Sequence, residues 1–115
     1  MLLVESNPVV GNVYGFEYTT VGGLGGKTTK KRLVVVQHVD SDGFFGYDFL
    51  ADGPRNFKFN KIKVAKNLTE KAKVFDYDFV ATVVGDVEEF VNGFESKGAK
   101  VYNDEENELV YVVNV

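Results

Sequence analysis

The sequence predicts an α+β fold, and three observations carry that prediction. Aromatic residues recur at every second position through the middle third, a helical repeat is confined to one segment near residue 90, and Gly- and Asp-rich turns punctuate the rest. The expected organisation is a small antiparallel β-barrel over residues 1–66, followed by an acidic β-α-β-β extension over residues 67–115.

Each element has its own local reason. In residues 11–20, Tyr14, Phe16 and Tyr18 alternate onto one face of a first strand. Residues 21–27 carry glycine at four of seven positions and read as a hairpin tip. Residues 29–39 hold the run Leu33-Val34-Val35-Val36, which marks a central strand covered on both faces. Asp40-Ser41-Asp42-Gly43 is a hairpin turn in which Gly43 is expected to take positive φ. A third strand spans residues 44–50, Ala51-Asp52-Gly53-Pro54 turns the chain, and a fourth strand starts at Arg55. Its Phe57 and Phe59 are odd-numbered, whereas the next apolar residues, Ile62 and Val64, are even-numbered. A bulge or bend near Asn60-Lys61 is needed to keep both sets on one face.

Beyond residue 66 the pattern changes. Residues 67–71 read as a linker or short helical turn, and residues 77–84 as a strand. Asp86 is an expected N-cap with Glu89 three residues on. Val87, Phe90, Val91 and Phe94 then mark one face of an amphipathic helix that Gly98 ends. Residues 100–102 and 109–113 form a last hairpin across an acidic turn.

Composition narrows the function classes. The chain is 44% hydrophobic and 14% aromatic, enough for a packed core rather than a disordered polymer. It has no cysteine, which excludes disulfides and thiolate sites and suits a cytoplasmic setting. Residues 1–10 lack the basic start and long apolar run of a signal peptide, and no segment has the apolar length of a membrane span. The net charge of −4 is unevenly placed. Residues 1–74 hold 11 Lys/Arg against 7 Asp/Glu, and residues 75–115 hold 2 Lys against 10 Asp/Glu. That split implies two surfaces of opposite sign. It also offers a route to a homo-oligomer, acidic tail against basic barrel.

Catalytic and metal motifs are weak. Gly26-Lys27-Thr28 ends like a phosphate-binding loop, but the glycine required five residues earlier is Val21, and a strand rather than a helix follows. His38 is the only histidine, so neither a metal nor a cofactor is implied. Asp76 and Asp78 would share a strand face, whereas Glu88 and Glu89 are adjacent on a helix and face apart. A non-enzymatic binding role is therefore expected.

The segment Arg55-Asn56-Phe57-Lys58-Phe59-Asn60-Lys61 differs from these, because cations and rings interleave at period two. Arg55 falls on the Phe57 face and Lys58 on the opposite one. Cations on a curved sheet can hold phosphates.

Together with Gly43-Phe44-Phe45-Gly46-Tyr47-Asp48, that segment and the following Ile62 resemble the WYL domain, a family of SH3/Sm-like β-barrels, over residues 12–66. The resemblance implies a ligand-sensing or nucleic-acid-binding barrel with a regulatory role. It places Arg55, Lys58 and Lys61 where the family's basic ligand-contacting residues stand; Tyr47 is a further candidate ligand residue, and the run Lys30-Lys31-Arg32 joins them by charge. It also implies that the tail is similar to a ferredoxin-like extension. Two family arginines are lysines here, which lose bidentate phosphate recognition. The expected ligand is anionic, a nucleotide or single-stranded nucleic acid. The alternative is a protein-interaction or inhibitor module, with Asp104, Glu105 and Glu106 facing a basic protein partner.

Overall fold

The computed structural model describes residues 8–114, so most of the N-terminal segment read above lies outside the described residues. The chain divides into two compact units, Met1–Thr69 and Glu70–Val115, a boundary three residues beyond the expected one.

The first unit is an antiparallel meander of β1 (Val13–Val21), β2 (Lys27–Val39), β3 (Gly43–Asp48), β4 (Gly53–Lys58) and β5 (Ile62–Asn67). The sheet order is β4-β3-β2-β1-β5. The central place of β2 explains its apolar run, and Leu33, Val34, Val35 and Val36 are all buried. One face carries the core: Tyr14, Phe16, Tyr18, Val34, Val36, Phe44, Phe57, Ile62 and Ala65.

No ladder joins β4 to β5 among the described residues, so the expected closed barrel is not found. The sheet is strongly curled instead. In a flat sheet β1 and β4 would lie three strand spacings, about 14 Å, apart. Yet the Phe57 ring of β4 sits 5.1 Å from Phe16 and 5.0 Å from Tyr18 of β1, both edge to face. Such pairs add about 1 kcal/mol beyond their burial. The Tyr18 hydroxyl also accepts the outward N–H of Lys58 on the β4 edge at 3.0 Å.

The Asp40 turn lies where expected but works by a different mechanism, and the next turn falls at residues 49–52, two residues before the expected one. The Asp40 carboxylate accepts the N–H groups of Asp42 and Gly43, each at 2.9 Å. Gly43 does not take positive φ. It is required because a Cβ there would overlap the Phe57 carbonyl of β4. Gly46 is held the same way: a Cβ would overlap the Val35 carbonyl and stand 2.6 Å from Val34 Cγ1. The phase change after Phe59 is absorbed by a 3-10 turn, Phe59–Lys61, where the bend was expected.

The second unit is a three-stranded antiparallel sheet of order β6-β8-β7, from β6 (Ala72–Asp76), β7 (Lys100–Asp104) and β8 (Leu109–Val113). Helices α1 (Tyr77–Val83) and α2 (Val87–Glu95) pack on it through Val80, Phe90, Val110 and Val112. The order is thus β-α-α-β-β, and the strand expected over residues 77–84 is a helix. Asp76 explains the change, because its carboxylate accepts the Phe79 N–H at 2.7 Å and caps a new helix as β6 ends. Asp86 caps α2 through the Glu88 N–H, and Gly98, at φ +88, follows the helix end.

Replacing Gly46 with Ala is expected to destabilise the first unit by about 2–3 kcal/mol, as overpacking against unyielding backbone does. Urea unfolding followed by aromatic fluorescence checks this. An unchanged midpoint would contradict the close approach.

Candidate functional site

A cleft of about 380 Å³ opens in the first unit beside the Asp40–Gly43 turn, and Phe44 and Phe57 contribute its apolar wall. Tyr18, Asn56, Lys58 and Lys61 contribute polar groups. Asp40 and Asp42 also line it, although the turn's own N–H groups occupy one Asp40 oxygen.

Tyr18 stands where the backbones of three lysines come close, and two of these, Lys58 and Lys61, line the cleft. Its hydroxyl takes the Lys58 N–H, and across the ladders it stands opposite Lys30 of β2 and Ile62 of β5. Lys61 directly precedes Ile62. Lys30, Lys58 and Lys61 are therefore gathered at one end of the curled sheet, and all three are exposed. Sequence periodicity placed Tyr18 in the core but gave no sign of this role, because the contact spans 40 residues.

The other expected ligand residues are dispersed. Arg55 pairs with Gly46 in mid-ladder and is exposed on the Phe57 side of β4. Lys31 stands opposite Glu17, on the face away from the core. Tyr47 lies at the far end of the β3–β4 ladder, opposite Pro54, where its hydroxyl bonds the Asp52 carboxylate.

Arg32 is a structural residue. Its Nη1 bonds Asp48 Oδ2 at 3.1 Å, and its guanidinium lies 5.9 Å from the Phe57 ring centre. Asp48 is fully buried and also accepts the N–H groups of Leu50 and Ala51, which closes the chain after β3. The other eight Lys and Arg residues in the described part of this unit are exposed, and none forms an ion pair among the described residues.

In the second unit the expected acidic triplet divides. Asp104 is 4% exposed and spends both carboxylate oxygens on Asn107, one on its N–H and one on its side-chain amide. Glu105 and Glu106 are exposed at the turn. Burial, aided by the nearby Glu105 charge, pushes the Tyr77 phenol above its ordinary range, and its hydroxyl bonds Asn103. Asp76 and Asp78 do not form a pair on a strand, since one caps α1 and the other lies in its first turn. His38 is exposed near the end of β2, and among the described residues no three His, Cys, Asp or Glu converge as a metal site. Among the described residues no helix is long and apolar enough to cross a membrane.

No family model, curated protein or solved structure matches the chain.

Arg32→Ala leaves the Asp48 carboxylate buried with backbone donors alone. It is expected to cost about 2 kcal/mol, below the full penalty for an orphaned buried charge. Arg55→Ala and Lys58→Ala, at exposed positions, should change stability by less than about 0.5 kcal/mol. Equal losses in denaturant titrations of all three would show that Arg32 is not set apart.

Proposed function

We propose that the first unit binds anionic ligands in a regulatory role, and that its ligand class is single-stranded nucleic acid. The observation that carries this reading is an open cleft lined by Lys58 and Lys61, with Lys30 opposite Tyr18 in the neighbouring ladder. Lysines are point charges that attract phosphate without fixing its orientation. Phe16, Phe44 and Phe57 are packed in the core and so withdrawn from base stacking. Affinity would then come from the phosphates and depend little on base sequence. A cleft of about 380 Å³ lies within the size range of small-ligand sites, so a mononucleotide is the minimal ligand to try.

The strand order, the curl and the 3-10 turn between β4 and β5 support reading the meander as a small SH3/Sm-like barrel, and with it the WYL resemblance. The four lysines and eleven acids of the second unit support an accessory reading, in which Glu105, Glu106 and the exposed acids of α2 meet a basic protein partner.

The test is fluorescence anisotropy of a labelled oligothymidylate across a salt series. Each phosphate contact contributes about −0.7 to the slope of log K against log salt for a single strand. Replacing Lys30, Lys58 and Lys61 with Gln should make the slope shallower by about 2. Replacing Lys71, Lys73 and Lys97, an equal loss of charge in the second unit, should leave it unchanged. Failure of the folded protein to bind at low salt would refute the proposal.

A further inference from the structure

We infer that the single strand continues from the cleft around the β5 edge onto a second cationic strip, Lys31, Lys63 and Lys66, on the sheet face opposite the aromatic core. The inference rests on the reading above and specifies the path the ligand takes.

Residues three apart in an unbroken strand face opposite sides. Lys63 and Lys66 do not. In the β1–β5 ladder Lys63 stands opposite Glu17 and Lys66 opposite Gly15, two positions of β1 that share one face. The register shifts between those pairs, so three steps of β5 match two of β1. The extra residue is absorbed at Val64, which is exposed and adopts φ +54. A β-branched side chain is rarely found in that left-handed region. The same shift keeps Ile62 and Ala65 together in the core, 2% and 7% exposed. One strained residue thus aligns two apolar side chains inward and two lysines outward.

Lys31 completes the strip from the other side of Glu17, which pairs with Lys31 on β2 and Lys63 on β5. Strand spacings place Lys31 and Lys63 about 9–10 Å apart across the sheet, and Lys63 and Lys66 about 7 Å apart along it. None of the three forms an ion pair among the described residues, although Glu17 lies between two of them. Lys61 and Lys63 flank Ile62, so the strip is continuous with the cleft. Cations on two faces of one sheet, joined around its edge, suit a thin and flexible polyanion. A folded acidic protein would meet one face only.

The 115-residue chain is titrated with labelled oligothymidylate at several salt concentrations, with circular dichroism confirming the fold of each variant. Lys63→Gln with Lys66→Gln should make the salt slope shallower by about 1.4. Lys97→Gln with Lys100→Gln, the same change in net charge, should leave it unaltered. Glu17→Gln should tighten binding several-fold, because it removes the carboxylate between two phosphate contacts. Wild-type binding with an unaltered slope in the Lys63/Lys66 variant would overturn the strip and leave the Tyr18 site standing. Equal slope losses in both pairs would reduce the strip to bulk charge and overturn it as well. Displacement by polyglutamate as effective as by unlabelled oligonucleotide would overturn the assignment to nucleic acid. No wild-type binding at low salt would remove the underlying reading and the strip together.

Discussion

The sheet of the first unit curls until Phe57 of β4 packs edge to face against Phe16 and Tyr18 of β1. Rings on distant strands must come within contact distance to exclude water, and only a bent sheet allows it. The bend in turn demands backbone without side chains where strands approach most closely, which is why Gly43 and Gly46 stand where they do. The Tyr18 hydroxyl then meets an edge N–H that would otherwise point to solvent. Exposed edges of this kind are sites of unwanted strand pairing, so the bond protects the sheet as well as bending it.

The same curvature sorts the cations. Arg32 is drawn into a buried pair with Asp48, where it neutralises a carboxylate that ties down the turn after β3. The other lysines of the first unit and Arg55 stay exposed, three lysines near Tyr18 and three on the opposite face beside Glu17. Each such exposed charge contributes little to stability. Their spread over the core-side end and the opposite face, with β5 as the edge between, favours a flexible polyanion over a compact ligand.

Much of this architecture was legible in the sequence. The alternation of Tyr14, Phe16 and Tyr18, the unbroken run at Leu33–Val36 and the phase slip after Phe59 led to the meander, its central strand and its bend. Those signals are local, and local periodicity reports burial well. What stayed hidden was either non-local or a choice between two local patterns that periodicity does not decide. The alternating pattern of Tyr77 and Phe79 reads as a strand until the Asp76 cap selects a helix. Arg32 and Asp104 read as surface charges, because Asp48 reaches Arg32 only across a strand ladder, and charge pattern alone does not show that the turn folds Asn107, three residues on, back onto Asp104. The lysine strip depends on a bulge whose place is set by the β1–β5 register, which no single strand encodes.

Residue-resolved hydrogen exchange at the Lys58 amide tests the central claim most directly, because on an edge strand only the Tyr18 hydroxyl slows it. The account predicts strong protection in the wild type, and loss of that protection in Tyr18→Phe while the amides of β2 stay protected. Rapid exchange of Lys58 in the wild type, or protection unaffected by removing the hydroxyl, would contradict it.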